Sequence, residues 1–208
     1  KGKQIMSTIR KRTLNTREIT TIACLAAVAS ILFMLEIPVV LFYKLDFSNL
    51  PPLLAMFSMG PLAGTLTLAI KSLVGLLHSS SQGVGELADF LMGLAMILPA
   101  GILYQRSKTR RGALTGMVVG GLFATLVGVL SNLYILIPFY ALVYGMPVEQ
   151  IIAMGQAIIP SIHSAWEFVL LITAPFNLLK WTAICVVGWV LYKPLSPLLH
   201  GRRRSENR

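Results

Sequence analysis

Charged residues are scarce in this chain: Asp, Glu, Lys and Arg make up 12% of 208 residues, 55% are hydrophobic, and the mean hydropathy is +0.74. Soluble domains carry about 25% charged residues, so a water-soluble globular fold is excluded. Cysteine is nearly absent. Cys24 and Cys185 both fall inside apolar runs, where a thiol behaves as a small hydrophobe and no disulfide framework is implied. The three histidines, His78, His163 and His200, are scattered, without the spacing that holds a metal. There is no Gly-x-x-x-x-Gly-Lys-Ser/Thr loop, so this chain does not hydrolyse ATP by the P-loop route. A Gly-x-Ser-x-Gly nucleophile elbow is missing too. A membrane protein of this composition that concentrates a solute must take its energy from an ion gradient or another subunit.

Acidic residues are fewer still, 8 against 18 Lys and Arg. A basic excess can mark a nucleic-acid surface, but the positions argue otherwise. Lys1, Lys3, Arg10, Lys11, Arg12 and Arg17 precede the first apolar run. Arg106, Lys108, Arg110 and Arg111 form an internal cluster, and Lys193, Arg202, Arg203, Arg204 and Arg208 follow the last run. This is positive-inside patterning, with no nucleic-acid partner. The expected fold is all-α: a polytopic membrane protein with six transmembrane helices and both termini cytoplasmic. The expected organisation is a basic N-terminus at 1–18, one membrane domain at 19–193 and a basic tail at 194–208.

The first span is expected from Ile19 to Phe42, with Glu36 near its outer end. Ala23 and Ala27, beside Ala26 and Ser30, give it small-xxx-small spacing, which lets another helix approach closely. Residues 51–77 are resolved by charge: a single span would put the cluster at 106–111 opposite both termini. Two spans turning at Gly60-Pro61 keep all the basic segments on one side, although the first is then short. The second carries Lys71, an intramembrane cation that needs a partner or a path to the interface. A fourth helix is expected from Glu86 to Tyr104, with Glu86 and Asp89 in its first turn, where the helix dipole favours carboxylates. The fifth runs from about Gly112 to Pro138, reaching toward Tyr144. Its small residues Gly116, Gly120, Ala124 and Gly128 recur every four positions, a packing stripe that Asn132 continues. Residues 145–174 read as an irregular outer segment, with 160–173 as a lid or interfacial helix, and the sixth span begins at Pro175.

Between the first two helices lies the cap segment 43–50, with Lys44-Leu45-Asp46-Phe47-Ser48-Asn49 ahead of a double proline, which stiffens the chain and suits a helix start. By this topology Lys44, Asp46, Glu86, Asn132, Asn177 and Lys180 all fall in the outer half of the membrane or just above it. Amides and a lysine supply hydrogen bonds there while apolar side chains pack on rings, which suits a polar heterocycle with little or no charge.

Five segments then carry a resemblance. Lys44-Leu45-Asp46-Phe47-Ser48-Asn49-Leu50-Pro51, Gly60-Pro61-Leu62-Ala63-Gly64, Gly83-Val84-Gly85-Glu86-Leu87-Ala88-Asp89-Phe90, Ser131-Asn132 and Pro175-Phe176-Asn177-Leu178-Leu179-Lys180 resemble, in order, the riboflavin-binding S components of bacterial energy-coupling factor (ECF) transporters. The resemblance implies a six-helix protein of the bacterial plasma membrane, with an outward-facing riboflavin site roofed by the loop between helices 1 and 2. It also implies docking on a membrane T subunit driven by two cytoplasmic ATPases. The ligand residues it implies are Lys44, Leu45, Asp46 and Phe47 in the loop, Glu86 on helix 4, Asn132 on helix 5, and Asn177 and Lys180 on helix 6. Ala23 and Ala27 become the surface that meets the T subunit. Riboflavin is cargo, and neither cofactor nor metal is expected. Two alternatives stand beside it. One is FMN or another heterocyclic vitamin as cargo, since the outer cations can attract a phosphate. The other is a membrane-integral enzyme using Glu86 or Glu167 as acid or base.

Overall fold

Helix α1, Thr16–Met34, begins with a reciprocal cap: the Asn15 side chain accepts from the Glu18 N–H at 2.8 Å, and the Glu18 carboxylate accepts from the Asn15 N–H at 3.0 Å. The computed structural model describes residues 14–200, with side chains as far as Tyr192; the basic stretches 1–13 and 201–208 lie outside the described residues. The first helix does not reach Phe42. Pro38 has no N–H to give the carbonyl of Met34, and its ring would strike that carbonyl, so the helix stops there. The β-branched residues Ile37, Val39 and Val40 favour extended backbone instead. Ile37–Val40 (β1) pairs antiparallel with Tyr43–Leu45 (β2), turning at Leu41, where φ is +50°. Part of the expected first span and of the cap is therefore a short β-hairpin, a departure from an all-α chain.

After the hairpin, α2 (Leu50–Met59) starts on the double proline and α3 (Pro61–Leu76) starts on Pro61. Between them Gly60 has φ +95°, a backbone only glycine adopts without strain. Helix α2 is short and almost wholly enclosed; Leu53, Ala55 and Met56 are fully buried. Helix α4 is Val84–Ser107. Helix α5, Arg110–Ser131, continues through a wide π-helical turn at Asn132–Leu136 into α6, Ile137–Val143. Helix α7 is Val148–Gln156, and α8, Ala165–Phe168, continues through a second π-turn at Val169–Thr173 into α9, Ala174–His200.

The last long helical run thus begins at Ala165 rather than Pro175, and residues 165–173 extend it instead of forming a separate lid. Each π-turn ends two residues before a proline, Pro138 and Pro175. A proline inside a helix forfeits one backbone bond and crowds the carbonyl four residues back, and a locally widened turn absorbs both. Sequence reading takes such a proline as a helix start; here the helix runs through it.

Among the described residues, four helical runs are long and apolar enough to cross a membrane: Thr16–Met34, Val84–Ser107, Arg110–Val143 and Ala165–Tyr192; α2 and α3 are shorter apolar helices. The stripe on α5 packs against α4 as its spacing indicated. A Cβ on Gly116 would lie 2.6 Å from the carbonyl oxygen of Ala100, which leaves room for glycine alone. One apolar core, including Leu53, Met56, Met96, Met117 and Trp181, joins α2, α4, α5 and α9 toward the basic-loop end of the bundle. A second, including Tyr43, Ile151, Phe168 and Phe176, joins the hairpin to α7, α8 and the start of α9. The polar groups lie where the two cores meet.

Candidate functional site

A cavity of about 550 Å³ opens at the hairpin end of the bundle. Its walls come from the hairpin (Leu41, Phe42, Tyr43, Lys44), from α4 (Glu86, Asp89, Met92), from both π-turn regions (Asn132, Leu136, Phe176, Asn177, Lys180) and from the chain around α7 (Met146, Met154). Its volume and mixed lining are those of a small-molecule site. Aromatic rings supply the apolar wall: Tyr43 stacks on Phe176 at 5.0 Å and 29°, and Phe42 meets Tyr140 at 5.7 Å.

Tyr43 also ties the two bulged helices together. Its hydroxyl donates to Asn132 Oδ1 at 2.9 Å and shares a 2.5 Å hydrogen bond with Thr173 Oγ1. Burial holds the phenol pKa well above its usual range despite the bond to Thr173, so the hydroxyl stays protonated and able to donate. Asn132 spends its amide N–H on the Gly128 carbonyl, and Asn177 likewise donates to the Thr173 carbonyl, each at 2.9 Å. The Asn177 carbonyl oxygen, Oδ1, is buried without a partner among the described residues. Leaving a buried acceptor unmet costs free energy, so this atom calls for a donor from whatever fills the cavity.

Behind the cavity sits a network of four buried charges. Asp89 on α4 accepts from Lys71 of α3 at 2.5 Å and from Lys180 of α9 at 3.1 Å. Lys180 also donates to Asp46 at 2.9 Å, and Asp46 in turn accepts from the backbone and hydroxyl of Ser48. Lys71 completes its shell on Ser48 Oγ at 3.1 Å and Asn49 Oδ1 at 3.2 Å, and the Asn49 amide donates to Asp89 at 3.2 Å. An ammonium has three N–H donors. Lys71, fully buried, uses all of them, whereas Lys180 uses two within the network and lines the cavity with one left. At the rim, Lys44 pairs with Glu36 at 2.5 Å, and Glu86 accepts through Oε2 from the hydroxyls of Ser79 and Ser81 at 2.8 and 2.9 Å.

Of the predicted site residues, Lys44, Glu86, Asn132, Asn177 and Lys180 come together around one cavity. Leu45, Asp46 and Phe47 do not line it. Asp46 acts through Lys180, and Phe47 packs on the core below. Ala23 and Ala27 lie on the exposed face of α1, while Ala26 and Ala29 take the buried one. Asp89 was read from sequence as a helix-dipole residue, and Lys71 had no role; they are the hub of the network. The signal was in the sequence, because two lysines inside apolar helices require carboxylates.

A model of the ECF transporter substrate-specific component matches residues 17–192. This chain belongs to that family. Two curated relatives agree: the S component is 29% identical to the riboflavin transporter RibU of Staphylococcus aureus, over 91% of this chain and 97% of the relative. It is 25% identical to the riboflavin transporter FmnP of Bacillus subtilis, over 92% and 98%. Among solved structures it resembles the S component of a bacterial ECF transporter, with TM-score 0.69 and 29% identity, covering 88% of this chain and 98% of that one. ThiT from Listeria monocytogenes shares the fold alone, with TM-score 0.64 at 14% identity over 89% and 99%. This S component is accordingly a multi-pass protein of a bacterial plasma membrane. Its relatives are transport components and not enzymes, which removes the reading of Glu86 or Glu167 as an acid or base.

Proposed function

We propose that this S component binds riboflavin from outside the cell and mediates its uptake on an ECF T subunit driven by two cytoplasmic ATPases. One observation carries the reading of the cavity. Lys180 has an unspent donor and Asn177 an unpartnered acceptor, three residues apart on one face of α9. The pyrimidine edge of an isoalloxazine presents the complement, an imide N–H flanked by carbonyl oxygens. Riboflavin would lay its rings against Tyr43, Phe42 and Phe176, give its imide N–H to Asn177 and accept from Lys180. The ribityl chain would then lie toward Lys44 and Glu86. Riboflavin is cargo here, with no resident cofactor.

The topology we propose has six crossings and both termini inside, with 19–193 as one membrane domain flanked by the basic segments 1–18 and 194–208. Helix α2, at ten residues, rises about 15 Å, half of a hydrocarbon core about 30 Å thick. Its enclosure by protein and the buried residues Asp46, Ser48 and Asn49 ahead of it support a crossing completed by non-helical chain, which is tolerated where protein covers it. The exposed Ala23 and Ala27 offer the T subunit a face without bulk, so that the two proteins can approach closely.

The test is the absorbance spectrum of the detergent-purified protein. Flavin bands near equimolar with protein, or 1:1 quenching of added riboflavin fluorescence, are expected. A colourless protein that leaves riboflavin fluorescence unchanged removes riboflavin as cargo.

A further inference from the structure

Two stripes of side chains, each repeating every four residues, run side by side on α5 and α9. Leu114, Val118 and Leu122 form the first and Leu178, Thr182 and Val186 the second, and all six are exposed. Between them lies an apolar groove of about 400 Å³, floored by the buried Gly121, Trp181 and Cys185. A Cβ on Gly121 would stand 3.2 Å from Trp181 Cβ, so the two helices meet at that floor. Along α9 the groove reaches from Leu178 to Trp189, a rise of about 16 Å. One leaflet supplies half of a hydrocarbon core about 30 Å thick, so the groove has the length of a single acyl layer.

The end at Trp189 is charged. Arg110 begins α5, and its guanidinium lies 3.9 Å from the centroid of the Trp189 ring. Stacking occupies one face of the guanidinium and leaves its N–H edge to donate. No described carboxylate pairs with Arg110, and no acidic residue lines the groove. Tryptophan is enriched where hydrocarbon meets headgroups, the level at which a lipid phosphate sits. A slot of acyl-chain length thus ends at a positioned cation whose planar fork matches two phosphate oxygens. This face is also distinct from the one suggested for the T subunit, because α1, with Ala23 and Ala27, packs on α2 and α3.

We propose that the groove between α5 and α9 binds one anionic phospholipid from the leaflet on the basic-loop side, its acyl chain along the groove and its phosphate on Arg110. Basic pockets between membrane helices hold anionic headgroups by this combination of chain and charge. A zwitterionic lipid offers the same chain, but its own ammonium offsets the phosphate, so the headgroup sets the preference. The site does not involve the flavin cavity, and it stands or falls separately from the riboflavin reading.

The experiment is native mass spectrometry of the detergent-purified full chain, given phosphatidylglycerol and phosphatidylcholine with identical acyl chains in equal amounts. Wild type is expected to retain one phosphatidylglycerol in preference to phosphatidylcholine. Arg110→Gln should lower that preference roughly fivefold, the effect of one basic residue at a lipid headgroup. Arg106→Gln removes a charge from the same loop but away from the groove, and should leave the preference nearly unchanged. Both arginines are exposed, so both variants keep the fold. Val118→Trp fills the groove with Arg110 intact and should reduce retention of both lipids. A wild type that retains the two lipids equally overturns the proposal; one that retains neither does so too, and leaves the groove to a protein partner. An equal loss in Arg110→Gln and Arg106→Gln also overturns it, because the loop's diffuse charge would then be responsible. So does wild-type retention in Val118→Trp, or displacement of the lipid by excess inorganic phosphate, since the groove would then not hold the chain.

Discussion

Lys71 and Lys180 share one carboxylate, Asp89, and lie buried in the same network, yet they are different devices. Lys71 sends its three donors to Asp89, Ser48 and Asn49, so nothing is left to offer a ligand. Lys180 gives two to Asp46 and Asp89 and faces the cavity with the third. Two buried cations of the same type thus divide into a structural strut and a recognition group, and counting donors against acceptors separates them where burial does not. Lys71 fixes the chain after the hairpin to α3 and α4, and Lys180 inherits its position from that fixed frame.

Asp89→Ala is the harshest test of that comparison, since it strips a partner from both lysines at once. Breaking a buried pair leaves an uncompensated charge and costs about 3–5 kcal/mol, so both thermal stability and riboflavin affinity should fall together. A variant with wild-type melting and binding would show that Asp89 is no hub. Lys71→Met comes next. It should lower stability by roughly 2–4 kcal/mol, because Asp89 loses its strongest partner, and weaken riboflavin binding far less. The comparison breaks if binding suffers more than stability. Lys180→Ala strands Asp46 and so lowers stability too, but it should add what Lys71→Met lacks, a loss of about 1–3 kcal/mol of binding, read as a change in Kd by fluorescence quenching. Tyr43→Phe is the mildest. It deletes the hydroxyl that joins Asn132 to Thr173, costs about 1 kcal/mol of stability, and leaves the ring stack on Phe176 in place.

The division between the two lysines was not legible in the sequence, but much of its setting was. Scarce charge, three basic clusters and apolar runs located the apolar helices, four of them long enough to cross a membrane among the described residues, and the polar residues left over, Lys44, Glu86, Asn132, Asn177 and Lys180, do surround one cavity. What could not be read was which acid serves which base. Asp89 sits in the first turns of α4, where a dipole role explains it locally, and only the approach of α3, α9 and the segment 46–49 makes it the shared anion. The hairpin was missed because apolar residues continue past Glu36 and Pro38 as far as Tyr43, and length outweighed the proline. The π-turns were missed for the opposite reason. Pro175 was given the weight of a helix start when the chain absorbs it one widened turn earlier; Thr173, at the end of that turn, bonds Tyr43 and accepts from Asn177, which lines the cavity.

The cavity reading stands most directly on Asn177, whose carbonyl oxygen is buried with no partner among the described residues. The deciding measurement is a riboflavin titration of wild type and Asn177→Ala, followed by flavin fluorescence, with melting recorded for both proteins. Stoichiometric quenching by wild type, and an affinity weaker by about tenfold or more in a variant that still melts like wild type, is the expected result. Equal dissociation constants for the two proteins would contradict it and take the α9 edge out of the binding site.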